Sequence, residues 1–433
     1  MIPKVEQKKK IAIIGLGYVG LPLAMLFLYQ GFKVIGIDTN ENKINDILNC
    51  KSYLPGISNV EIKKFINKQL EVYSNIESIS EADVIIICVP TPLKKDSEPD
   101  LSYLINVGEN LYSRVKKGQL IILESSTFPG TTREILQPIL EKSGLKIGTD
   151  LFLAYSPERI DPGNKNYSIK DIPKIVSGMT GECLTNVFNL YSNIFNNIIK
   201  VSTPEIAEMS KLLENSYRFI NISFINELAI LCDLLKINVW EVIEAASTKP
   251  FGFSPFYPGP GIGGHCIPVD PLYLQWKSNQ VGKTSNIISA ASFSNQLVSD
   301  HILKQIVKIL TLNKNSVENK KVLICGVTYK KDINDMRESP AIPIIDSLLK
   351  KGVKLSYHDP FIMELKINEQ VLRSIDITKN TLKEFDCVVI LTDHSSLPRS
   401  EILQFSKTVY DTRNFSNYKN INANLYLLGG GQI

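Results

Sequence analysis

Ile11-Ala12-Ile13-Ile14-Gly15-Leu16-Gly17-Tyr18-Val19-Gly20 decides the fold. Four apolar residues read as a short strand, and they run at once into a Gly-x-Gly-x-x-Gly turn that opens an apolar, uncharged stretch to Tyr29. Gly31 ends that stretch, and a second strand pattern, Lys33–Ile37, stops at Asp38, 18 positions after Gly20. Strand, glycine turn, helix and strand make a βαβ unit, the setting in which this glycine spacing means dinucleotide binding. The backbone of Gly15, Gly17, Tyr18, Val19 and Gly20 is expected to approach a pyrophosphate, whose charge meets the N–H groups of the helix N-terminus. Asp38 accepts hydrogen bonds from a ribose and repels a 2′-phosphate, which favours NAD over NADP.

Strand patterns continue at residues 82–92 and 119–127, each ending in small polar residues, and at residues 151–155, before Ser156-Pro157-Glu158-Arg159. In an open parallel sheet, ligands bind beyond the carboxyl ends of the strands, so Thr91 and Thr127 are expected to line the cofactor crevice, with Glu158 at the same edge. From Thr203 a helical pattern of near thirty residues begins, with threonine placed as a cap and Pro204 at the first helical position. Glu208, Lys211 and Asn215 share one face of it; the first two are also spaced for a surface ion pair. So long a helix suits a strut between domains or subunits.

Beyond it lies Pro258-Gly259-Pro260-Gly261-Ile262-Gly263-Gly264-His265-Cys266-Ile267-Pro268-Val269-Asp270, a composition suited to a rigid loop that presents a side chain. That side chain is a thiol, either a nucleophile or one more small buried hydrophobe. The opening pattern then recurs: a strand at residues 322–327, a helix at 340–350, a strand at 353–357 ending in His358-Asp359, and a strand at 385–391. In place of a glycine turn this repeat carries Thr328-Tyr329-Lys330-Lys331-Asp332, so a lysine takes over the phosphate from backbone amides. Two nucleotide folds suggest two nucleotides.

The 433 residues exceed one hydrophobic core and predict two or three domains. With 44% hydrophobic and 21% charged residues the chain falls outside the disordered and fibrous classes. A net charge of +4, with basic residues spread apart from Lys8-Lys9-Lys10, gives no footprint for nucleic acid. Seven cysteines are odd in number and far apart, which argues against a disulfide framework and a metal site and favours a reducing, cytoplasmic location. The uncharged run at residues 11–32 imitates a membrane anchor, but its glycines and Pro22 fit strand, turn and helix better, so no membrane segment is expected.

A dinucleotide site, a second nucleotide fold and a thiol loop between them suggest oxidation of something carried on a nucleotide. An aldehyde captured by the thiol could lose a second hydride to give a thioester, which water cleaves to an acid. The residues here resemble the UDP-glucose/GDP-mannose dehydrogenases over nearly the whole chain: the Gly15 to Gly20 turn with Asp38, Ser126-Thr127-Phe128-Pro129-Gly130-Thr131, Ser156-Pro157-Glu158, Glu208 to Asn215, Gly263-Gly264-His265-Cys266 with Asp270, and Tyr329-Lys330-Lys331-Asp332 with Arg337-Glu338-Ser339.

That resemblance implies two Rossmann-like parallel-sheet α/β domains, residues 1–202 for NAD and 318–433 for the UDP-sugar. They are joined by a central all-α domain, residues 203–317, whose long helix forms a homodimer interface. Cys266 is then the nucleophile, Lys211 and Asn215 hold the reacting oxygen, and Asp270 and Glu158, with Thr127 beside them, order or deprotonate water. Lys330 and Arg413 grip the nucleotide-sugar, with Arg159, Tyr257 and Gly263 also on the substrate side, while Lys43 and Arg337 contact the cofactor. The cysteine loop and Ser156-Pro157-Glu158-Arg159-Ile160-Asp161-Pro162-Gly163 look more like the branch that oxidises UDP-N-acetylhexosamines. Within it, the Ile-Pro after Cys266 leans towards UDP-N-acetylglucosamine; UDP-N-acetylmannosamine and UDP-glucose are the alternative substrates, and a non-catalytic nucleotide-sugar sensor the alternative class.

Overall fold

After Lys10 every residue of the first strand, β1 (Lys10–Ile14), is buried, as a strand covered on both faces requires. Successive side chains point to opposite faces, and the core divides accordingly: Ile11 and Ile13 join one apolar cluster, Ala12 and Ile14 the other. The remaining strands of this sheet are β2 (Lys33–Ile37), β3 (Leu70–Tyr73), β4 (Val84–Ile87), β5 (Leu120–Leu123), β6 (Phe152–Tyr155), β7 (Lys174–Gly178) and β8 (Ile198–Lys200). Their order is β3-β2-β1-β4-β5-β6-β7-β8, and every neighbouring pair is parallel except β6 with β7. The first six follow the doubly wound dinucleotide order, which reverses direction between β1 and β4 and opens a crevice there.

The computed structural model describes residues 8–54, 56–159, 167–312, 316–415 and 421–432; Ile160, Asp161, Pro162 and Gly163 of the motif at Ser156 lie outside them. The chain divides into two compact units, Met1–Glu214 with Leu272–Lys283 and Asn215–Pro271 with Thr284–Ile433. The second unit holds a sheet of β9 (Lys321–Cys325), β10 (Lys354–His358), β13 (Cys387–Ile390), β14 (Thr408–Asp411) and β15 (Asn424–Leu427), in the order β10-β9-β13-β14-β15 and wholly parallel. Its reversal falls between β9 and β13. An antiparallel hairpin, β11 (Glu364–Ile367) with β12 (Gln370–Arg373), lies outside that sheet.

The predicted long helix spans Pro204–Leu235, 32 residues, with Pro204 at its first position. Its C-terminal half supplies Ile225, Ala229 and Cys232 to the core that also contains Trp240, Val298, Ile302 and, from β9, Val322 and Ile324. Elsewhere on it Leu213, Phe224 and Leu234 are 63%, 63% and 74% exposed, an apolar surface that water alone does not explain. After the cysteine loop a second long helix spans Asn286–Thr311. Among the described residues no helix is long and apolar enough to cross a membrane.

Candidate functional site

In the first unit the glycines divide the labour of the turn. Gly15 has φ +95°, and a Cβ there would lie 2.5 Å from the Cys88 carbonyl oxygen; a Cβ on Gly20 would lie 1.9 Å from the Gly15 carbonyl oxygen. Both are close backbone approaches that any side chain would block. A Cβ on Gly17 would meet nothing within 4 Å, so that side of the turn is open to a ligand. The helix Gly20–Tyr29 begins without a side-chain cap on its N-terminal N–H groups. Asp38 is buried; its Oδ2 accepts from the Leu16 N–H (2.9 Å) and its Oδ1 from the Asn40 N–H (2.9 Å). Lys43 pairs with the same carboxylate at 2.8 Å.

The next two strand ends bring in both threonines. Thr91 is buried, donates to the Ser126 carbonyl at 2.7 Å and accepts at its own carbonyl from the Tyr273 hydroxyl. Thr127 is fully buried, and its Oγ1 has no hydrogen-bond partner among the described residues. A buried hydroxyl without a partner is a group waiting for a ligand or water. An open Gly17, an uncapped helix N-terminus, Asp38 and the Thr127 hydroxyl together fit a dinucleotide.

Glu208 departs from a surface pair with Lys211, since both are buried. Its Oε2 accepts from the Gly130 N–H (2.6 Å), and its Oε1 from the Thr132 N–H (2.9 Å) and hydroxyl (2.7 Å), which pins the turn after Thr127. Burial pushes its carboxyl up, against the pull of those bonds. Arg159 reaches Glu214, with Nη2 at 2.5 Å, and donates to the Pro173 carbonyl. Glu158 accepts from the Arg159 N–H at 2.6 Å and stands 3.4 Å from the Lys174 ammonium, a residue the sequence reading passed over. Lys174 is itself buried against Glu124 at 2.6 Å.

In the second unit Asn215 and Asp270, 55 positions apart in sequence, are both buried, and the Asn215 amide donates to Asp270 Oδ2 at 2.5 Å. The Cys266 carbonyl accepts from the Asp270 N–H (2.9 Å) and the Val269 N–H (3.2 Å), so the cysteine loop feeds directly into the helix that Asp270 begins. Cys266 is exposed. Gly264, at φ +88°, donates to the Arg337 carbonyl at 2.9 Å. A Cβ on Gly263 or Gly264 would lie 2.6 Å or 2.7 Å from Tyr329, so these glycines seat the loop on that residue. Burial, then the Arg337 charge, lowers the pKa of His265, which speaks against an imidazolium beside the thiol. Tyr257 is exposed and stacks on Trp240 at 6.2 Å between ring centroids.

Lys330 sits in the turn after β9, its carbonyl accepting from Thr328 Oγ1 at 2.9 Å. Arg337 forms a two-point pair with Asp335, Nε to Oδ1 at 3.0 Å and Nη2 to Oδ2 at 2.6 Å. Arg413 donates from Nε to the Leu391 carbonyl (2.9 Å), and its Nη1 would be 2.6 Å from a Cβ on Gly259, so the proline-glycine run and this arginine are in close contact. The sequence reading missed what holds the turn: His394, fully buried, accepts at Nδ1 from the Asp332 N–H (3.0 Å). The proton therefore sits on Nε2, which donates to Asp359 Oδ2 at 3.1 Å. Among the described residues no three His, Cys, Asp or Glu side chains are placed to hold a metal ion.

Sequence models of the three domains of the UDP-glucose/GDP-mannose dehydrogenase family match this chain: the NAD binding domain over residues 9–199, the central domain over 205–297 and the UDP binding domain over 323–418. A UDP-N-acetyl-D-glucosamine 6-dehydrogenase of Pseudomonas aeruginosa is 37% identical over 82% of this chain and 83% of its own. A UDP-N-acetyl-D-mannosamine dehydrogenase of Methanococcus maripaludis is 34% identical over 98% and 97%. Among solved structures, the UDP-D-ManNAc dehydrogenase of Pyrococcus horikoshii superimposes with a TM-score of 0.87 at 29% identity, covering 98% of this chain and 100% of that one.

Proposed function

Because the chain belongs to the UDP-glucose/GDP-mannose dehydrogenase family and is an NAD-dependent nucleotide-sugar dehydrogenase, we propose that it oxidises the C6 hydroxyl of a UDP-N-acetylhexosamine to the acid, with UDP-N-acetyl-D-glucosamine as substrate. The observation that carries this reading is the linkage of Cys266 to Asp270 through the loop carbonyl and of Asp270 to Asn215 through a buried side-chain hydrogen bond. These bonds support a reading in which a nucleophile, a carboxylate and an amide work together.

The residues divide the work as follows. Lys211 and Asn215 hold the C6 oxygen, the ammonium stabilising negative charge as the O–H proton leaves. Cys266 Sγ then adds to the aldehyde carbon, and loss of hydride from that thiohemiacetal leaves a thioester. Glu158 and Asp270, with Thr127, order and deprotonate the water that breaks the C–S bond, returning the thiol and releasing the acid. Bound NAD supplies the hydride acceptor for both oxidations, two equivalents per sugar. Gly15, Gly17, Tyr18, Val19, Gly20, Asp38, Lys43, Thr91, Thr127 and Arg337 hold the cofactor. Arg159, Tyr257, Gly263, Lys330 and Arg413, together with Glu158, Lys211 and Asn215, hold the UDP-sugar.

The functional division is residues 1–202 for the cofactor, 203–317 for the cysteine loop and dimerisation, and 318–433 for the UDP-sugar. Exposed Leu213, Phe224 and Leu234 on the long helix support a homodimer through it. Buried, unbridged thiols such as Cys183, Cys232, Cys325 and Cys387 suit a reducing cytoplasm. UDP-N-acetyl-D-mannosamine is the second reading, favoured by a similarity to the mannosamine enzyme that spans 98% of the chain. A panel of UDP-N-acetylglucosamine, UDP-N-acetylmannosamine and UDP-glucose, followed by NADH absorbance, decides between them. The preferred substrate yields two NADH per sugar, and Cys266→Ser yields no acid; normal acid formation by that variant would remove the covalent step.

A further inference from the structure

The lysine that opens β7 occupies a place its sequence did not advertise. β7 runs antiparallel to β6, pairing Tyr155 with Ser177 and Ala154 with Gly178, so its first residue lies beyond the carboxyl end of β6. A parallel strand would have put that residue at the opposite edge. This reversal delivers Lys174 to the edge where the loops after β5 and β6 carry Glu124 and Glu158. The side chain is only 3% exposed, and its Nζ lies 2.6 Å from Glu124 Oε2, 3.2 Å from the Pro157 carbonyl and 3.4 Å from Glu158 Oε2. Three donors thus face three acceptors. Tyr191 donates to the other oxygen of Glu124, and the Tyr191 and Phe195 rings pack around the ammonium at 5.7 and 5.4 Å. Desolvation alone would lower the lysine's pKa; the two carboxylates outweigh it and hold the ammonium above its ordinary range.

We propose that Lys174 is a positioning residue for the reaction: from beneath the Ser156-Pro157-Glu158 turn it fixes the Pro157 carbonyl and supplies the positive charge against which Glu158 works as a carboxylate. This rests on the reading of Glu158 as a working carboxylate. A buried ammonium is costly unless it is paired, and Glu124 alone would have paired it. The additional reach to the Pro157 carbonyl and to Glu158 is what links the buried ion pair to the chemistry.

The test is the pH dependence of kcat in the full-length enzyme, measured as NADH formation with its preferred nucleotide sugar. Lys174→Met is expected to lower kcat at neutral pH by about 10- to 100-fold, to move the acidic limb of the profile to higher pH, and to leave KM for NAD within about twofold. Lys174→Arg, which keeps the charge, is expected to return the limb towards its original position. A folded Lys174→Met enzyme with the wild-type limb overturns the proposal. Where Lys174→Met does not fold, because Glu124 is left buried without its cation, Glu124→Gln carries the test. It leaves Lys174 with Glu158 as its one carboxylate partner in this cluster, so the limb should move to lower pH; an unmoved limb again overturns the proposal. Glu158→Gln separates the two readings. If it is fully active, the role of Glu158 falls and that of Lys174 with it; if it is inactive while the Lys174 and Glu124 variants keep the wild-type limb, Lys174 falls alone.

Discussion

The turns that follow β1 and β9 are built on one skeleton and finished differently. In the first, Gly15 (φ +95°) donates to the Ile37 carbonyl at 2.7 Å, and Asp38 accepts from the Leu16 N–H at 2.9 Å and the Asn40 N–H at 2.9 Å. In the second, Gly326 (φ +82°) donates to the His358 carbonyl at 2.9 Å, and Asp359 accepts from the Val327 N–H at 2.8 Å and the Phe361 N–H at 2.9 Å. Beyond that the two diverge. After Gly15 a helix begins five residues on, at Gly20; after Gly326 the next helix waits 15 residues, until Ala341. The first turn therefore runs straight into a helix N-terminus with its backbone amides, whereas the second is followed by a long loop that carries Lys330 and Arg337. The aspartates part company too. Asp38 meets a partly exposed lysine, while Asp359 is sealed under His394 with no exposure at all. An aspartate ending the second strand of such a unit is thus first a brace for the glycine turn, and it serves a ribose only where nothing closes over it.

Breaking the braces should separate these roles most widely in stability. Asp359→Ala strips a fully buried group of its charge and leaves His394 Nε2 and the Val327, Phe361 and Ile362 N–H groups without their acceptor. The expected loss is about 3–5 kcal/mol, against about 1–2 kcal/mol for Asp38→Ala, read from urea midpoints. Equal losses would mean the two turns are braced alike. Acid sharpens the contrast. Burial raises the pKa of Asp359, but the His394 hydrogen bond and the backbone N–H groups outweigh it and hold the carboxyl below its ordinary range. A depressed folded-state pKa stabilises fully above the unfolded value, about 3.9, and that stability is lost as pH falls through the folded value. Wild-type protein should lose this contribution below about pH 4, and Asp359→Ala should have none to lose there.

The smaller effect is on cofactor choice. If Asp38 is the brace that also reads the ribose, Asp38→Asn keeps much of the turn and loses the charge that excludes a 2′-phosphate. The ratio of kcat/KM for NAD over NADP should then fall by about one to two orders of magnitude, the worth of a charged hydrogen bond. An unchanged ratio would place the selectivity elsewhere in the crevice.

What could be read from the chain follows the same division. Gly15 to Asp38 was readable because strand, turn, helix and strand are contiguous and each obeys its own local rule. The Cys266 loop was readable as a rigid, glycine- and proline-built turn from four glycines and three prolines in thirteen residues, and its Gly263 and Gly264 pack closely on Tyr329. Lys174 was not, since nothing local marks β7 as antiparallel, and a lysine at a strand start ordinarily reads as a solvated charge. Glu208 could be placed on the right helix face, but its bonds to Gly130 and Thr132 join positions 76 and more residues apart. His394 meets Asp359 across 35 residues, and pairings of that kind are settled by topology, which periodicity does not contain.

Lys43 provides the finest cut. It holds towards Asp38 the place that His394 holds towards Asp359, but at 32% exposure, where an ion pair contributes about 0–1 kcal/mol. If it only tethers Asp38, Lys43→Ala should leave the urea midpoint almost unmoved and raise KM for NAD by a few-fold, an effect that shrinks as salt rises because the pair is partly exposed to screening. A stability loss as large as that of Asp359→Ala would make the lysine a closing group like the histidine and erase the contrast between the turns. A KM effect that persists in high salt would instead place the ammonium in direct contact with the cofactor, where desolvation shields it from the ions that screen a surface pair.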